Sequence, residues 1–348
     1  MRRSKRHRYH RREPDWARLS DRGLLDLRFC DLDLKIERSE LQPRIRQLYD
    51  ELEKRGLRLR PPCWLSSEWF SPHDTPGIAI PFYLAHPRLR ELESRMMKEV
   101  EGGTKNWCMQ LLRHEAGHAY EAAYRLTERK QWQRLFGRAS RKYPEYYSPK
   151  PLSRNFVLHL DWWYAQSHPV EDFAETFAVW LRPGSQWRKD YRDWPALAKL
   201  EYVDEIMKKT AGKPALVRPG PHMEPLRQLR QTLREHYRQK QEKYGGASLD
   251  FFDLDLRRLF PPSPRRKTQM SAARFLRRIS PKLRQRVASW TGGHAYVVNL
   301  VLKDMIQRSR ELGLRVSRPE DETRLGAAIV LTMRTMNDLY IKGHHLVL

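Results

Sequence analysis

Apolar residues between positions 39 and 56 recur at intervals of three and four, with polar residues between them. The recurring positions are Leu41, Ile45, Leu48 and Leu52. This period predicts one amphipathic helix, and Gly56 lies where a helix C-terminus favours glycine. Residues 87–100 predict a second helix, which begins at a proline and ends before two glycines.

Three shorter segments have the pattern of extended chain. Residues 24–36, LLDLRFCDLDLKI, alternate between apolar and polar positions with one break, which predicts a strand or a bulged strand. Residues 61–70 and 76–86 predict two further extended segments. Pro81 lies inside the last of these. Because proline has no N–H to donate, this segment is predicted to be an edge strand or a bulged one.

Two longer helices are predicted in the middle of the chain. Thr104 is the predicted N-cap of a helix that runs to about Gln131. The second is predicted to begin at Pro169, with Ser167 or His168 as its cap, and to end before a Pro-Gly pair. A stretch rich in proline and glycine follows at 210–225 and predicts a linker. The chain beyond it is predicted to be mainly helical.

Composition predicts a folded chain with a strong positive charge. The 348 residues are 40% hydrophobic and include 11 Trp, 15 Tyr and 11 Phe, which is unlike a disordered protein. The formal net charge of +25 favours polyanionic partners such as nucleic acid, anionic membrane or acidic protein. The charge is concentrated in a basic arm over residues 1–18, predicted to be disordered, and in residues 265–286, which contain nine Lys or Arg and no acid.

Cysteine usage narrows the cellular context. The chain has three cysteines, Cys30, Cys63 and Cys108, and no CxxC pair. This excludes a zinc ribbon and argues against a disulfide framework, so a reducing compartment, the cytoplasm, is predicted. The basic N-terminus is not followed by an apolar segment, and no apolar run reaches membrane-spanning length. Neither a signal peptide nor a transmembrane segment is therefore predicted.

The stretch LLRHEAGHAYEAAY, residues 111–124, contains the strongest chemical signal. His114 and His118 are four residues apart, so on a helix both imidazoles project from one face and can reach one metal ion. Glu115 lies beside the first of them, where its carboxylate can act as the general base toward a metal-bound water. Gly117 is a costly residue inside a helix unless a neighbouring element packs close to the backbone.

A catalytic zinc site needs a third protein ligand, and the residues alone leave several candidates. Glu121 lies on the same helix but about 7–8 Å along the axis from the histidines, which is a long reach. Glu171 and Glu175, in EDFAETFA, are again four residues apart. One of them can bind metal while the other hydrogen-bonds a ligating histidine. His168 is a weaker candidate, and a metzincin extension is excluded because it needs Gly and His where the chain has Glu121 and Tyr124.

HEAGH followed by a distant ExFAE resembles the gluzincin type of zinc peptidase. The chain is most similar to a bacterial family of zinc-binding metallopeptidases, and more distantly to the catalytic domain of anthrax lethal factor. The similarity rests on PGIAIPFYLAHPRL, EGGTKNWCMQLLRHEAGHAYEAAYRL and WYAQSHPVEDFAETFAVWL, and it spans roughly residues 20–210. It implies that His114, His118 and Glu171 ligate zinc, that Glu115 is the base, that Glu175 supports a ligand, and that Tyr164 stabilises the oxyanion.

Pattern and resemblance together predict an α+β fold. A zincin-like core, with a small sheet and an edge strand over the HExxH helix, is expected to precede a mainly helical C-terminal extension. The predicted units are listed in chain order: the arm at 1–18, the α+β part of the catalytic domain at 19–103, the zinc-site helices at 104–212, the linker at 213–225 and a basic helical region at 226–348.

The predicted function is hydrolysis of peptide bonds through a zinc-bound water that Glu115 activates. Residues 77–82 are predicted to pair with an extended peptide or protein substrate by strand addition. The alternative is a nucleic-acid-associated protein, or a protease that is recruited to DNA or cleaves a regulator. In that case the arm and residues 265–286 would bind nucleic acid or another polyanion.

Overall fold

A computed structural model describes residues 14–144, 147, 150, 153–244, 253–261 and 269–342. The fold is α+β and mostly helical, with one small sheet. The strands are β1 (Cys63–Ser66) and β2 (Ile78–Pro81). The helices are α1 (Asp21–Leu25), α2 (Leu41–Lys54), α3 (Pro87–Met97), α4 (Lys105–Ala123), α5 (Lys130–Phe136), α6 (Pro169–Leu181), α7 (Trp187–Asp190), α8 (Ala196–Thr210), α9 (Leu233–Tyr244), α10 (Asp253–Leu259), α11 (Ala272–Thr291), α12 (Ala295–Glu311) and α13 (Glu320–Lys342).

The two strands pair in parallel, with Cys63 opposite Ile78 and Ser66 opposite Pro81. β2 is an edge strand, as predicted, but its outer side is not free. The N–H of Ala79 donates to the carbonyl of Phe70 at 2.8 Å, and the N–H of Phe70 donates back at 3.4 Å. Pro81 has no N–H, and all four residues of β2 are buried. Since a peptide would have to displace Phe70, the predicted strand addition at residues 77–82 is wrong.

Residues 24–36 are not a strand, which corrects the prediction from their alternating pattern. They contain the end of α1, one short 3-10 turn (Phe29–Asp31) and the first residue of a second (Ile36–Arg38). Local hydrogen bonds account for the difference, because side chains that bond nearby backbone compete with strand pairing. Ser20 accepts from the N–H of Gly23 at 3.3 Å, and Asp31 accepts from the N–H of Arg28 at 3.1 Å. Only some of the apolar side chains, among them Leu24 and Phe29, are fully buried.

The predicted disordered arm is wrong for residues 14–18. Asp15–Arg18 form a 3-10 turn, and Trp16 inserts into the core. Its indole N–H donates to the carbonyl of Leu32 at 2.9 Å, and its ring meets the edge of His86. One large aromatic side chain thus fixes this segment. Residues 1–13 of the arm lie outside the described residues.

The helices at 39–56, 87–100 and 169–181 are confirmed, and so are two predicted caps. Thr104 accepts from the N–H of Trp107 at 3.2 Å, and His168 accepts from the N–H of Val170 at 3.4 Å. α4 ends at Ala123 rather than near Gln131. The carbonyl of Ala123 accepts the N–H groups of Leu216 and Val217, so it is no longer available to continue the helix.

Two hydrophobic clusters organise the described chain. The first includes residues of both strands and of α2 to α9, and the second joins α10 to α13 around Phe275, Leu302 and Leu331. Leu233 and Tyr237 place α9 in the first cluster, although it was predicted to belong with the C-terminal region. Among the helices that the structure describes, none is both long and apolar enough to cross a membrane.

The predicted linker at 213–225 contains no helix or strand, but it packs against the sheet. The indole of Trp64 stacks on His222 with ring centroids 4.7 Å apart and donates to the carbonyl of Met223 at 2.8 Å. Ser66 donates to the carbonyl of Glu224 at 2.9 Å. This segment therefore connects parts of one packed unit. After α9, the chain contributes to the second cluster, apart from Val297 and Tyr296 of α12, which pack with the first.

α4 and α6 cross at unusually short range because of Gly117. A Cβ atom at Gly117 would lie 2.8 Å from the Cα of Ala174 and 3.2 Å from the Cβ of Phe177. Such distances are shorter than van der Waals contact, so only glycine fits without moving α6. The expectation that a neighbouring element packs against this glycine is confirmed.

Substituting Gly117→Ala should lower the free energy of unfolding by about 1–3 kcal/mol, because overpacking exceeds the gain in helix propensity. Gly23→Ala is the matched control. A Cβ at Gly23 meets only ordinary contacts of 3.6 Å or more, so this change should be neutral or stabilise by up to about 1 kcal/mol. Chemical denaturation of both variants checks this; equal effects would contradict the close approach of α4 and α6.

Candidate metal centre

α4 places His114, Glu115 and His118 in the protein interior. His114 and Glu115 are buried, and His118 is nearly so. The adjacent Arg113 fixes the helix from its other side. Its Nε and Nη2 donate to the two carboxylate oxygens of Glu51 on α2, at 2.7 and 2.9 Å, and both side chains are buried. Such a bidentate pair sets the rotation of α4 and hence the direction of its histidines.

α6 brings Glu171 and Glu175 to the same place. Both are buried, and the neighbouring Asp172 points away to accept from Nζ of Lys199 on α8 at 2.6 Å. Burial raises the pKa of Asp172 to about 7, although Lys199 acts in the opposite direction. α6 is thus held in the same manner as α4, by an ion pair next to its functional residues.

Three side-chain atoms converge between the two helices. Nε2 of His114 lies 3.1 Å from Nε2 of His118 and 3.0 Å from Oε2 of Glu171, and the last two atoms are 3.2 Å apart. A tetrahedral zinc ion with ligands at about 2.0–2.1 Å needs neighbouring ligand atoms about 3.3 Å apart. The donor set and its spacing therefore fit zinc, and these three residues form a group able to hold a metal ion.

Glu175 orients the first histidine. Its Oε1 lies 2.8 Å from Nδ1 of His114, and its Oε2 accepts from the N–H of Leu160 at 2.8 Å. An N–H at Nδ1 leaves Nε2 free to bind metal, and a carboxylate that accepts from the other ring nitrogen is the usual partner of a metal-binding histidine. Burial lowers the pKa of His114, but hydrogen bonds to Glu171 and Glu175 outweigh it and raise that pKa well above its ordinary value. The two carboxylates thus favour positive charge at this point.

Two further residues touch the site and were not predicted. Tyr143 donates its hydroxyl to Oε1 of Glu171 at 2.7 Å, and its ring stacks on His168 with centroids 3.8 Å apart. Ser71 donates to Oε2 of Glu115 at 2.8 Å, and its hydroxyl also lies 3.1 Å from the Glu115 carbonyl. Both come from irregular segments far from the motif in sequence, and neither carries a local pattern that could have identified it.

The other candidates for a third ligand are not part of the group. Nε2 of His168 lies 2.7 Å from the carbonyl of Arg141, and its Nδ1 caps α6, so both ring nitrogens are engaged. Glu121 lies beyond the three converging atoms, and burial raises its pKa to about 7. Of the alternatives that the sequence left open, the structure therefore selects Glu171.

Tyr164 lies beside the site without joining the group. Its ring centroid is 5.6 Å from that of His114, and its side chain is half-buried. It belongs to a 3-10 segment, Asp161–Gln166, that leads into α6. This places a phenol next to one of the two histidines.

Residues 27–185 match the model of a protein family described as "Putative zinc-binding metallo-peptidase". The matched range contains the three converging residues and their hydrogen-bond partners, and it leaves out α1 and α7 to α13. No curated protein and no solved structure matches the chain. Because the matched family is described as zinc-binding and the three converging side chains fit the ion, we assign zinc as the cofactor of this site.

The protein should bind about one zinc ion per chain, and His118→Ala should abolish this binding. Glu175→Gln should weaken the affinity about 10- to 100-fold, since it disturbs the orientation of His114 but removes no ligand. Competition with a chromophoric chelator measures the zinc affinity of both variants. His222→Ala is the control, because it removes a histidine that stacks on Trp64 outside the site. Unchanged affinity in Glu175→Gln would contradict the role given to that carboxylate.

Proposed function

We propose that the site is the active centre of a zinc-dependent metallopeptidase of the gluzincin type, built in a zincin-like core. The proposal rests on the number of protein side chains that converge on the metal position. Within the described part of the chain three side chains meet, whereas a structural zinc site uses four. Three protein ligands leave a position for water, and a glutamate directly follows the first histidine.

Zinc supplies Lewis-acid activation of water and of the scissile carbonyl when it is bound. The chain's own contribution begins with Glu115, whose carboxylate accepts a proton from the attacking water and delivers it to the leaving amine. Glu115 is suited to this role because it is on the same helix as both histidines and only 6% exposed. Buried in this way, it is shielded from competing solvent.

Ser71 is proposed as the positioning residue for that base. A carboxylate on a flexible side chain has several rotamers, and a hydrogen bond of 2.8 Å to one oxygen selects among them. The same hydroxyl is close to the Glu115 carbonyl, so it ties side chain and backbone together. The second carboxylate oxygen is left to exchange the proton.

The two tyrosines at the site are proposed to have different roles. Tyr143 already donates to Glu171 at 2.7 Å, so it holds that carboxylate in a one-oxygen binding mode. For Tyr164, no hydroxyl hydrogen bond is found within the described residues. Tyr164 is therefore the residue that can donate to the negative charge developing on the carbonyl oxygen of the substrate.

Glu115→Gln should retain zinc and lose peptide hydrolysis, because an amide cannot accept the proton. We expect a fall of about 10²- to 10⁴-fold in kcat for hydrolysis of a fluorogenic peptide library or casein. Zinc content, measured in parallel, separates loss of the base from loss of the metal. Activity in a zinc-loaded Glu115→Gln variant would exclude Glu115 as the base.

The same assay tests the positioning role of Ser71. Ser71→Ala should lower kcat by less than Glu115→Gln does and leave KM and zinc affinity unchanged, and Ser71→Thr should restore most of the rate. Ser66→Ala is the matched control, since its hydroxyl bonds Glu224 rather than the site. An effect on KM alone, or an equal effect in the control, would remove Ser71 from the mechanism.

A further inference from the structure

α11 has an unusual surface that the proposed peptidase chemistry does not use. The helix contains six Lys or Arg and no acid. Four of the cations recur at intervals of four residues and are all exposed: Arg274, Arg278, Lys282 and Arg286. Residues four apart on a helix have Cβ atoms about 5–6 Å apart, so these side chains form one slanting row along α11.

The row ends on an exposed aromatic residue. Trp290 is four residues after Arg286 and 77% exposed. An exposed indole next to a cation offers a stacking surface for an aromatic ring such as a base. The row and the indole together form what we call the α11 ridge, defined by Arg274, Arg278, Lys282, Arg286 and Trp290.

The ridge differs from an ordinary solvated face. On α13 and in the segment before it, exposed arginines pair with glutamates four residues away, as in Arg318–Glu322 and Arg324–Glu320. In the ridge only Arg278 has an ion-pair partner among the described residues, Glu320 at 2.7 Å. The other three cations project from a stretch, residues 256–303, that contains no Asp or Glu. Their charge is thus available to an external polyanion.

The opposite face of α11 indicates whether the ridge binds a membrane surface or nucleic acid. Its apolar side chains, among them Phe275, Leu276 and Leu283, are buried in the second hydrophobic cluster. A helix that inserts into a membrane surface needs that face for the lipid, so insertion of α11 into a bilayer does not fit. Nucleic acid does fit, since phosphates need cations and an unstacked base needs one aromatic ring.

We propose that the α11 ridge binds single-stranded nucleic acid, with the cation row contacting phosphates and Trp290 stacking on a base. The proposal is independent of the metal centre, which lies in the first hydrophobic cluster. It uses the described part, residues 269–286, of the basic segment predicted from sequence, together with Trp290. Residues 265–268 of that segment lie outside the described residues and are not part of the ridge.

Fluorescence anisotropy with a labelled 20-nucleotide oligo(dT) and the full chain tests the proposal over a range of NaCl concentrations. The triple variant Arg274→Gln/Lys282→Gln/Arg286→Gln should weaken binding at least about tenfold. It should also reduce the slope of log K against log[salt] by about 2, since each phosphate contact on a single strand contributes about 0.7. The control Lys130→Gln/Arg134→Gln/Arg192→Gln removes the same charge from exposed positions elsewhere and should leave both values nearly unchanged.

Trp290→Ala separates nucleic acid from other polyanions. It should weaken oligo(dT) binding about 10- to 100-fold with little change in the salt slope, and it should leave the binding of labelled heparin, which has no bases, unchanged. Circular dichroism checks that the variants remain folded. The proposal is overturned if the two triple variants weaken binding equally, if Trp290→Ala affects heparin as much as oligo(dT), or if vesicles containing phosphatidylserine bind more tightly than oligo(dT).

Discussion

The contact between α4 and α6 at Gly117 is the constraint on which the metal centre depends. Each helix supplies only part of the ligand set: two imidazoles from α4 and one carboxylate from α6. The three side chains meet at 3.0–3.2 Å because the two helix backbones lie close together. They are so close that a Cβ atom at position 117 would not fit between them. A small residue on the facing helix, Ala174, completes the arrangement. Position 117 therefore controls the site although its own residue has no functional group.

Close approach buries several charged groups, and two of them on the outer sides of the helices have partners of opposite charge. Arg113 neutralises Glu51, and Lys199 faces Asp172, so the charges on the outer sides of α4 and α6 are paired. Between the helices the carboxylates face imidazoles. Because an uncompensated buried charge is costly, this pattern fixes helix rotation and favours a bound cation. Packing and charge thus act on the same two helices.

The sequence predicted those parts of the site that depend on local order. The HEAGH spacing and the caps at Thr104 and His168 depend only on residues a few positions apart in the sequence. They appear in the structure as predicted. The third ligand was a long-range question: the residues alone left Glu121, Glu171 and His168 open, the family resemblance implied Glu171, and the structure brings Glu171 to the two histidines. Ser71 and Tyr143 were missed for the same reason. The predicted strand at 24–36 failed because Ser20 and Asp31 hydrogen-bond nearby backbone N–H groups, and pairing of the segment with residues 229–233 is limited to one isolated bridge, Arg28 with Thr232.

All functional inferences at this site require that α4 and α6 together hold one zinc ion. A crystal structure of the zinc-loaded protein, with anomalous diffraction at the zinc edge, tests this requirement most directly. We expect one strong peak within about 2.0–2.2 Å of Nε2 of His114, Nε2 of His118 and Oε2 of Glu171. A peak coordinated by Glu121 or His168 in place of Glu171, or one located away from α6, would contradict it.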